Sequence, residues 1–322
     1  MRIDDEERAA WADEGLVGEV REGDEVIVNV EALELGLGSG GFDVVHANLT
    51  RGLDAPGPDR ATAMKLNYTS LQHSVEPVEA GSEDSAARMI PVLVLSLHGQ
   101  LPPAAWAAAR GDSGVRIGYI QTSGGALPGA LSEGVKVLRE AGLLCGHVTA
   151  GPSYGGEVEA LTTIEALRAA SGPLGWHAAI AGPGPGIVGS GSELGHGGMA
   201  ALDTAHVSLS LGLETLLAPR MSSADPRPRH RGLSHHTATV LRMLLRGVRV
   251  PAPLDGPLEE LRKTCGDRHE VWLREAPVDE YAASGLPATH MGRGIHDDRL
   301  FFASALAAGD GLAAAALVEG AV

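Results

Sequence analysis

From about residue 91 onward, short apolar runs alternate with alanine-rich segments of helical length. The apolar runs have the length of buried strands, and they end at Gly, Pro or Ser, as strands do before a turn. They predict strands at 91–97, 115–120, 143–149, 176–181 and 215–218. The alanine-rich segments predict helices that end near Ala141 and Leu211, and one helix that spans 157–170.

Strands and helices in this alternation predict an α/β domain over residues 85–322, with a Rossmann-like parallel sheet and helices on both faces. Crossovers in such a sheet are right-handed, and the loops that follow the strands gather at its carboxyl edge. We therefore expect a ligand crevice at that edge. Nearer the C-terminus, the sequence predicts charged helical structure at 254–272, a short helix at 279–284 and a packing helix at 299–318.

The first part of the chain follows a different pattern. Valine alternates with polar residues around a Gly-Asp turn at 19–30, and further short strands are expected at 42–45 and 64–69. These segments predict a small β-rich, barrel-like domain over residues 1–84. The acidic, turn-prone stretch 76–85 is where we expect the domain boundary.

Charge and cysteine content narrow the classes of partner and compartment. The 322 residues carry a formal net charge of −16, which argues against general affinity for nucleic acid or anionic membranes. The two cysteines, Cys145 and Cys265, form neither a disulfide framework nor the paired spacing of a zinc site. A reducing cytoplasm is the simplest location that this composition predicts.

The distribution of apolar residues bears on membranes and on self-association. The acidic N-terminus lacks the apolar core of a signal peptide, and the sequence predicts no span across a bilayer. The alanine-rich segment 303–318 is apolar enough to offer a surface for a second copy of the chain. We therefore predict a homo-oligomer.

Candidate chemistry is densest between residues 176 and 237. Against the acidic background, one segment concentrates basic side chains, namely Arg220, Arg227, Arg229, His230, Arg231, His235 and His236. Arginine presents fixed planar donors that suit phosphate or carboxylate. This Arg/His segment, residues 220–236, therefore predicts a site for a small anion.

A glycine-rich loop, residues 184–191, follows the predicted strand at 176–181. Its backbone N–H groups could turn toward an anion at a helix N-terminus, with serine hydroxyls as further donors. The alternative is that its glycines only permit close packing of strand and helix. The loop also matches G-x-G-x-x-G, but Pro185 lacks a donor and Arg220 stands where a ribose-binding acid is expected, so a nicotinamide cofactor is disfavoured and the cofactor stays open.

We predict that the Gly loop and the Arg/His segment form opposite walls of one anion site. The expected ligand-binding residues are Gly184, Gly186, Gly189, Ser190, Gly191, Arg220, Arg229 and Arg231. In an enzyme, His235 or His236 would transfer protons and Asp225 would orient the imidazole. A non-catalytic sensor for the same class of ligand would need only the loop and the arginines.

Two further chemistries have weaker sequence support. Gly151-Pro152-Ser153-Tyr154-Gly155 matches G-x-S-x-G, which leaves a serine hydrolase with Ser153 as an alternative. A metal site could draw on Asp203 and His206, one helical turn apart, and on the nearby histidines. The adjacent His235 and His236 are expected to point in different directions, however, and no metal is predicted.

The chain resembles the bacterial family known as domain of unknown function 3866. The shared motifs are LGLGSGGFDVV (35–45), MKLNYTSLQ (64–72), GPGIVGSG (184–191), ADPRPRHRGLSHHT (224–237) and MGRG (291–294). The resemblance spans almost the whole chain and implies neither an activity nor a catalytic residue. The chain departs from it at Ser39, where threonine is expected, and at His196, where an aromatic residue is expected. The last motif could bring Arg293 to the crevice, although a solvated turn is the expected place for it.

Overall fold

A computed structural model describes residues 1–36, 40–52, 57–81, 88–110, 114–125, 128–190 and 192–319. The chain divides into two compact units, Met1–Pro77 and Val78–Val322. The predicted domain boundary at residue 84 lies outside the described residues.

The first unit is built from short strands and two helical turns. Its elements are β1 (Arg2–Ile3), β2 (Glu6–Glu7), β3 (Ala10–Trp11), α1 (Glu14–Val17), β4 (Val26–Asn29), α2 (Glu31–Glu34), β5 (Asp43–Asn48), β6 (Ala63–Lys65) and β7 (His73–Val75). Over the described residues these strands pair as three small sheets, β1-β2, β3-β5-β4 and β6-β7. The prediction of a β-rich unit is confirmed, whereas closure into a barrel is not.

The second unit contains the remaining strands and helices. Its first elements are β8 (Val92–Val94), α3 (Leu101–Ala109), β9 (Ile117–Thr122), α4 (Glu133–Glu140), β10 (His147–Ala150), β11 (Val158–Ala160), α5 (Thr163–Ser171), β12 (Ala178–Pro183), α6 (Ala200–Ser210) and β13 (Thr215–Leu217). They are followed by β14 (Met221–Ser222), β15 (Gly232–Leu233), α7 (His235–Met243), β16 (Arg249–Pro253), α8 (Leu258–Cys265), β17 (Glu270–Arg274), α9 (Val278–Ala282), β18 (Thr289–His290), β19 (Arg293–Gly294) and α10 (Arg299–Glu319). Short 3-10 turns lie at His98–Gln100, Gly129–Leu131, Gly197–Met199 and Pro228–His230.

Eight of these strands form one sheet in the order β11-β10-β9-β12-β8-β13-β16-β17. Every neighbouring pair in it is parallel. Successive residues of β8 face opposite sides, because Val92 and Val94 pack with helices α5 to α8 while Leu93 packs with α3, α4 and α10. The predicted Rossmann-like sheet with helices on both faces is therefore confirmed.

The path of the chain through the sheet determines where its loops meet. The chain starts at the central strand β8, moves outward through β9, β10 and β11, and returns to β12 beside β8. It then crosses to β13 on the other side of β8. The loops after β12 and β13 therefore leave the carboxyl edge on either side of β8, at a topological switch point of the kind where α/β proteins bind ligands.

Two predictions of secondary structure were wrong in part. The helix expected over 157–170 starts only at Thr163, where the Thr162 hydroxyl accepts from the Glu165 N–H, and β11 occupies the earlier residues as an edge strand. The helical structure expected over 254–272 ends at Cys265 and is followed by β17. The prolines Pro251 and Pro253 concealed β16, which pairs with β13 through Leu216 and Arg249 alone.

The helix α10 belongs to the core. Its segment Arg299–Leu317 is long and apolar enough to cross a membrane, but 72% of its most apolar window is buried inside the protein. Phe301, Leu306 and Leu312 are almost fully buried. The apolar surface of this helix had suggested self-association. Most of that surface is instead buried within the second unit.

Candidate functional site

The Arg/His segment begins where β13 leaves the sheet. Its backbone folds into a hairpin in which β14 pairs antiparallel with β15. The Arg220 N–H donates to Thr237 Oγ1 at 2.8 Å, and the Arg220 carbonyl accepts from the Ser234 N–H at 2.9 Å. These bonds attach the beginning of the segment to the start of α7. Arg220 is 2% exposed, so its guanidinium is held inside the protein.

Asp225 balances the charge of this buried arginine. Its carboxylate is fully buried and accepts from Arg220 and Arg227 at 2.9 Å each, with Arg293 at 3.5 Å. Burial alone would raise the pKa of Asp225, but the hydrogen bonds and charges of Arg227 and Arg220 outweigh it and hold that pKa well below its usual range. Asp225 is therefore an anion that orients arginines. Within the described part of the chain, its carboxylate accepts hydrogen bonds from arginines.

A second buried carboxylate extends the network toward α10. Asp298 accepts from the Ser223 N–H at 2.9 Å and from Arg293 Nε at 3.1 Å. Of the two places considered for Arg293, the solvated turn is wrong, because Arg293 bridges Asp225 and Asp298 with 15% of its side chain exposed. The hairpin after β13 and the start of α10 are thus held together by paired charges.

Four histidine rings meet beside this network. His235 and His236 open α7, whose N-cap Ser234 accepts from the His236 N–H, and the ring of His230 is 2.8 Å from the same hydroxyl. The ring centroids of His235 and His236 are 4.4 Å apart, and His230 lies 4.9 and 4.7 Å from them. The two residues project from the helix about 100° apart, and His236 is buried whereas His235 is partly exposed, but their rings still reach one cluster.

The fourth ring, His196, comes from the end of the loop after β12. It stacks on His236 with a centroid distance of 3.5 Å and an interplanar angle of 11°. Arg220 Nη1 lies 3.4 Å from Nδ1 of His236. His196, His230, His235 and His236 are called the histidine cluster below. His196 follows the Gly loop in sequence, so this cluster joins the loop after β12 to the Arg/His segment, and the opposite walls of one anion site stay a prediction.

The histidine cluster is neutral at physiological pH. Burial lowers the pKa of all four imidazoles, and the neighbouring arginines lower it further, to about 3 for His230 and about 2 for His236. Nε2 of His230 and of His235 is buried without a hydrogen-bond partner among the described residues, and the ring nitrogens of His196 make no hydrogen bond of normal geometry there, although the Glu193 backbone partly opposes the lowering of the His196 pKa. Buried polar atoms in native proteins are almost always satisfied, so these nitrogens require an explanation.

Glycines in the segments next to the Gly loop permit close approach between backbones. A Cβ atom on Gly125, in the loop after β9, would overlap the Gly184 carbonyl, and one on Gly197 would overlap Gly124. Gly186 has a φ of +75°, which favours glycine. Gly191 lies outside the described residues. Within the Gly loop, the backbone conformation thus accounts for Gly186, and the close backbone contacts are made by glycines of the neighbouring segments.

The rest of the loop is a small hairpin that carries His196. Gly189 bridges to His196, the Gly197 N–H donates to the Val188 carbonyl at 2.9 Å, and the Ser190 N–H donates to the Gly195 carbonyl at 2.6 Å. The Ser190 hydroxyl lies 2.9 Å from that of Ser192. Helix α6 begins at Ala200, after a 3-10 turn, so the glycines do not lead directly into a helix N-terminus as expected.

The remaining predicted residues lie at different depths. Arg229 and Arg231 are exposed. The Arg231 Nε donates to the Asp225 carbonyl at 3.0 Å, and the charge of Arg229 contributes to the lowered pKa of His196 and His235. Ser153 is fully buried in the turn after β10, where its hydroxyl donates to the Thr122 carbonyl at 3.0 Å.

Sequence reasoning missed a second polar group at the same edge of the sheet. The ring of His98, just after β8, lies 2.7 Å from the Ser132 hydroxyl. Tyr119 donates to the Pro183 carbonyl at 2.9 Å and stacks on His147 with centroids 5.4 Å apart. Burial lowers the pKa of His98 and of His147 to about 4. These side chains come from separate segments, and the only signal for His98 was its position directly after an apolar run.

Fold and site together define a doubly wound α/β protein with an Arg/His-rich cluster at the switch point of its sheet. A sequence profile of the family described as "Protein of unknown function (DUF3866)" matches residues 9–309. The chain belongs to this family. Comparisons with curated proteins and with solved structures gave no match.

Proposed function

We propose that the protein binds a small anionic metabolite, phosphorylated or carboxylated, between the Gly loop and the Arg/His segment. The observation that carries the proposal is the stack of His196 on His236 at 3.5 Å, because it joins the loop after β12 to the segment after β13. Both belong to the carboxyl edge of the sheet, beside the central strand, where this class of fold binds ligands.

The charges near this junction favour an anion. Arg229 and Arg231 are exposed beside the histidine cluster. The Nε atom of Arg220 is buried without a hydrogen-bond partner among the described residues. The chain as a whole carries a net charge of −16 and repels anions elsewhere on its surface. A local group of arginines, which match phosphate or carboxylate in geometry, gives such a ligand one favoured place to bind.

An enzyme acting on this ligand would use His235 for proton transfer. With a pKa of about 2, His236 is too weak a base near neutral pH, whereas the lowered pKa of the partly exposed His235 leaves a neutral imidazole that can accept a proton. Asp225 serves this chemistry by holding arginines in place. A sensor would bind the same ligand without proton transfer, and Ser153 supports a hydrolase less well because its buried hydroxyl already donates to a backbone carbonyl.

Thermal-shift screening against phosphate, pyrophosphate, dicarboxylates and nucleotides tests the proposal. A ligand at 100 times its Kd stabilises the protein by about 2.7 kcal/mol, which raises Tm by roughly 5 to 10 °C for a domain of this size. Arg229→Ala removes an exposed cation, and Gly189→Val pushes against His196, whose Cβ lies 3.1 Å from the position of a Cβ at residue 189.

The matched control is Arg262→Ala, which removes an exposed arginine from α8. We expect an anion to stabilise the wild type and the control equally, and to lose its effect in both site variants. A screen with no stabilising anion, or stabilisation that survives Arg229→Ala and Gly189→Val unchanged, would show that the proposal is wrong.

A further inference from the structure

We propose that His196, His235 and His236 bind a divalent transition-metal ion of the Zn²⁺ type, with one coordination position left open. This proposal goes beyond anion binding and does not depend on it. Of the residues that the structure describes, these three form the group in which His, Cys, Asp or Glu ligand atoms approach one another, all within 4.8 Å. The sequence predicted no metal, because His235 and His236 were expected to point in different directions and no H-x-x-x-H or H-E-x-x-H spacing supported zinc.

The spacing of the nitrogens suits a metal centre. Zinc–nitrogen bonds of about 2.0–2.1 Å in tetrahedral geometry separate two ligand nitrogens by about 3.4 Å. Atoms already within 4.8 Å of one another reach that separation if the rings reorient, which for His196 requires a movement of its loop. Three protein ligands and an open fourth position are the arrangement of catalytic rather than structural zinc sites.

The donor set selects the class of metal. Three imidazoles suit zinc, copper, nickel or cobalt, whereas Mg²⁺ and Ca²⁺ require oxygen ligands. The neighbouring carboxylates have other partners, because Asp225 accepts from arginines and Glu193 pairs with Arg242. A cation of the magnesium or calcium type therefore has no suitable ligand from these two acids.

A metal would also give a partner to buried ring nitrogens. The Nε2 atom of His235 is buried without a hydrogen-bond partner within the described part of the chain, and the ring nitrogens of His196 make no hydrogen bond of normal geometry there. A metal binds the neutral imidazole through a ring nitrogen that carries no proton. Coordination would use these nitrogens.

Two features of the cluster determine what metal entry requires. The rings of His196 and His236 are almost parallel, so their lone pairs do not yet converge, and His196 must turn on its loop to bring them together. Arg220 Nη1 lies 3.4 Å from His236 Nδ1, and its positive charge repels a metal cation. An anion in the open position offsets that charge, which makes the metal and a small anion mutually stabilising.

The test uses full-length protein freed of metal by chelation and titrated with Zn²⁺ by calorimetry and with Co²⁺ by visible absorption. His235→Ala removes one ligand. His196→Phe removes another but keeps an aromatic ring stacked on His236, so the packing of the loop is retained. The control His296→Ala removes an exposed histidine outside the cluster. Circular dichroism and thermal melting establish that each variant is folded.

We expect the wild type and His296→Ala to bind one Co²⁺ per chain with the strong visible bands of tetrahedral coordination. His196→Phe and His235→Ala should each lose these bands and at least tenfold in affinity for Zn²⁺. Failure of the wild type to bind either metal stoichiometrically, or equal binding by folded His196→Phe and His235→Ala, would overturn the proposal. The anion screen is run in the presence of chelator, so its result does not depend on whether the protein binds a metal.

Discussion

Asp225 is the residue on which the charge balance of the site depends. It is fully buried, and it faces Arg220, of which 2% is exposed. Removing one partner of a buried ion pair leaves the other charge uncompensated, which costs about 3–5 kcal/mol. We therefore expect Asp225→Asn to lower the free energy of unfolding by that amount in urea denaturation. Asp279→Asn, which removes an exposed carboxylate paired with Arg299, is the control and should change stability little. Equal effects of the two substitutions would contradict this account of Asp225.

The histidine cluster should make the protein less stable in mild acid. Its imidazoles have a lowered pKa in the folded state, so below about pH 6.5 the unfolded chain binds protons that the folded chain does not. Stability is therefore complete above pH 6.5 and falls as the pH drops toward the folded-state values of about 3 and about 2 for His230 and His236. Each such histidine contributes a slope of about 1.4 kcal/mol per pH unit.

Urea denaturation between pH 7 and pH 5 measures this slope. The slope of the free energy of unfolding against pH reports the number of protons taken up on unfolding. We expect His236→Gln to reduce that number by about one relative to the wild type and His296→Gln to leave it unchanged. A slope that is the same in His236→Gln as in the wild type would mean that His236 titrates normally in the folded protein.

Single residues also show how far sequence reasoning reaches. The density of Arg and His at 220–236 drew attention to Arg220, Asp225, His235 and His236 because they lie close together in the chain. His196 and His98 carry no such signal, since each meets its partners only after strands distant in sequence become neighbours. Asp225 was assigned to an imidazole because sequence alone does not reveal how many arginines converge on one carboxylate.

At the scale of elements, apolar runs correctly predicted the strands that are buried on both faces of the sheet. The strands β8, β9, β10, β12 and β13 all coincide with predicted runs. The strands that were missed lie toward the edges of the sheet, where partial exposure permits charged residues and proline, as in β11, β16 and β17. The positions of buried strands could therefore be derived from periodicity, and the sheet order could not.

The packing of α10 against α3 gives a prediction at this scale. A Cβ on Gly309 would overlap the backbone of Ala104. Backbone atoms in a helix cannot shift as easily as the end of a flexible side chain. We expect Gly309→Ala to destabilise the protein by about 1–3 kcal/mol although alanine is the better helix former. Gly134→Ala in α4 is the matched control, because its Cβ would meet neighbours at 3.6 Å or more, and it should be neutral or stabilising by up to about 1 kcal/mol. Thermal or urea denaturation that ranks the two substitutions the other way would contradict the packing.

At the scale of the whole molecule, the doubly wound order of the sheet explains why one edge holds the candidate chemistry. The chain leaves β12 and β13 on opposite sides of β8, and the two loops bring His196 and the Arg/His segment together. Cytoplasmic location and self-association stay predictions. The apolar face of α10 is mostly buried and no longer supports an oligomer. Light scattering over a range of concentrations would measure the oligomeric state directly.

The central claim is that the histidine cluster and its arginines form one ligand site. It is tested most directly by nuclear magnetic resonance of the wild-type protein with ¹⁵N-labelled histidine rings, titrated with inorganic phosphate in the presence of chelator. The account predicts saturable shifts of the ring nitrogens of His196, His230, His235 and His236, while the rings of His177, His206 and His296 outside the cluster keep their positions. Shifts that are absent, or that appear mainly at His177, His206 and His296, would contradict it.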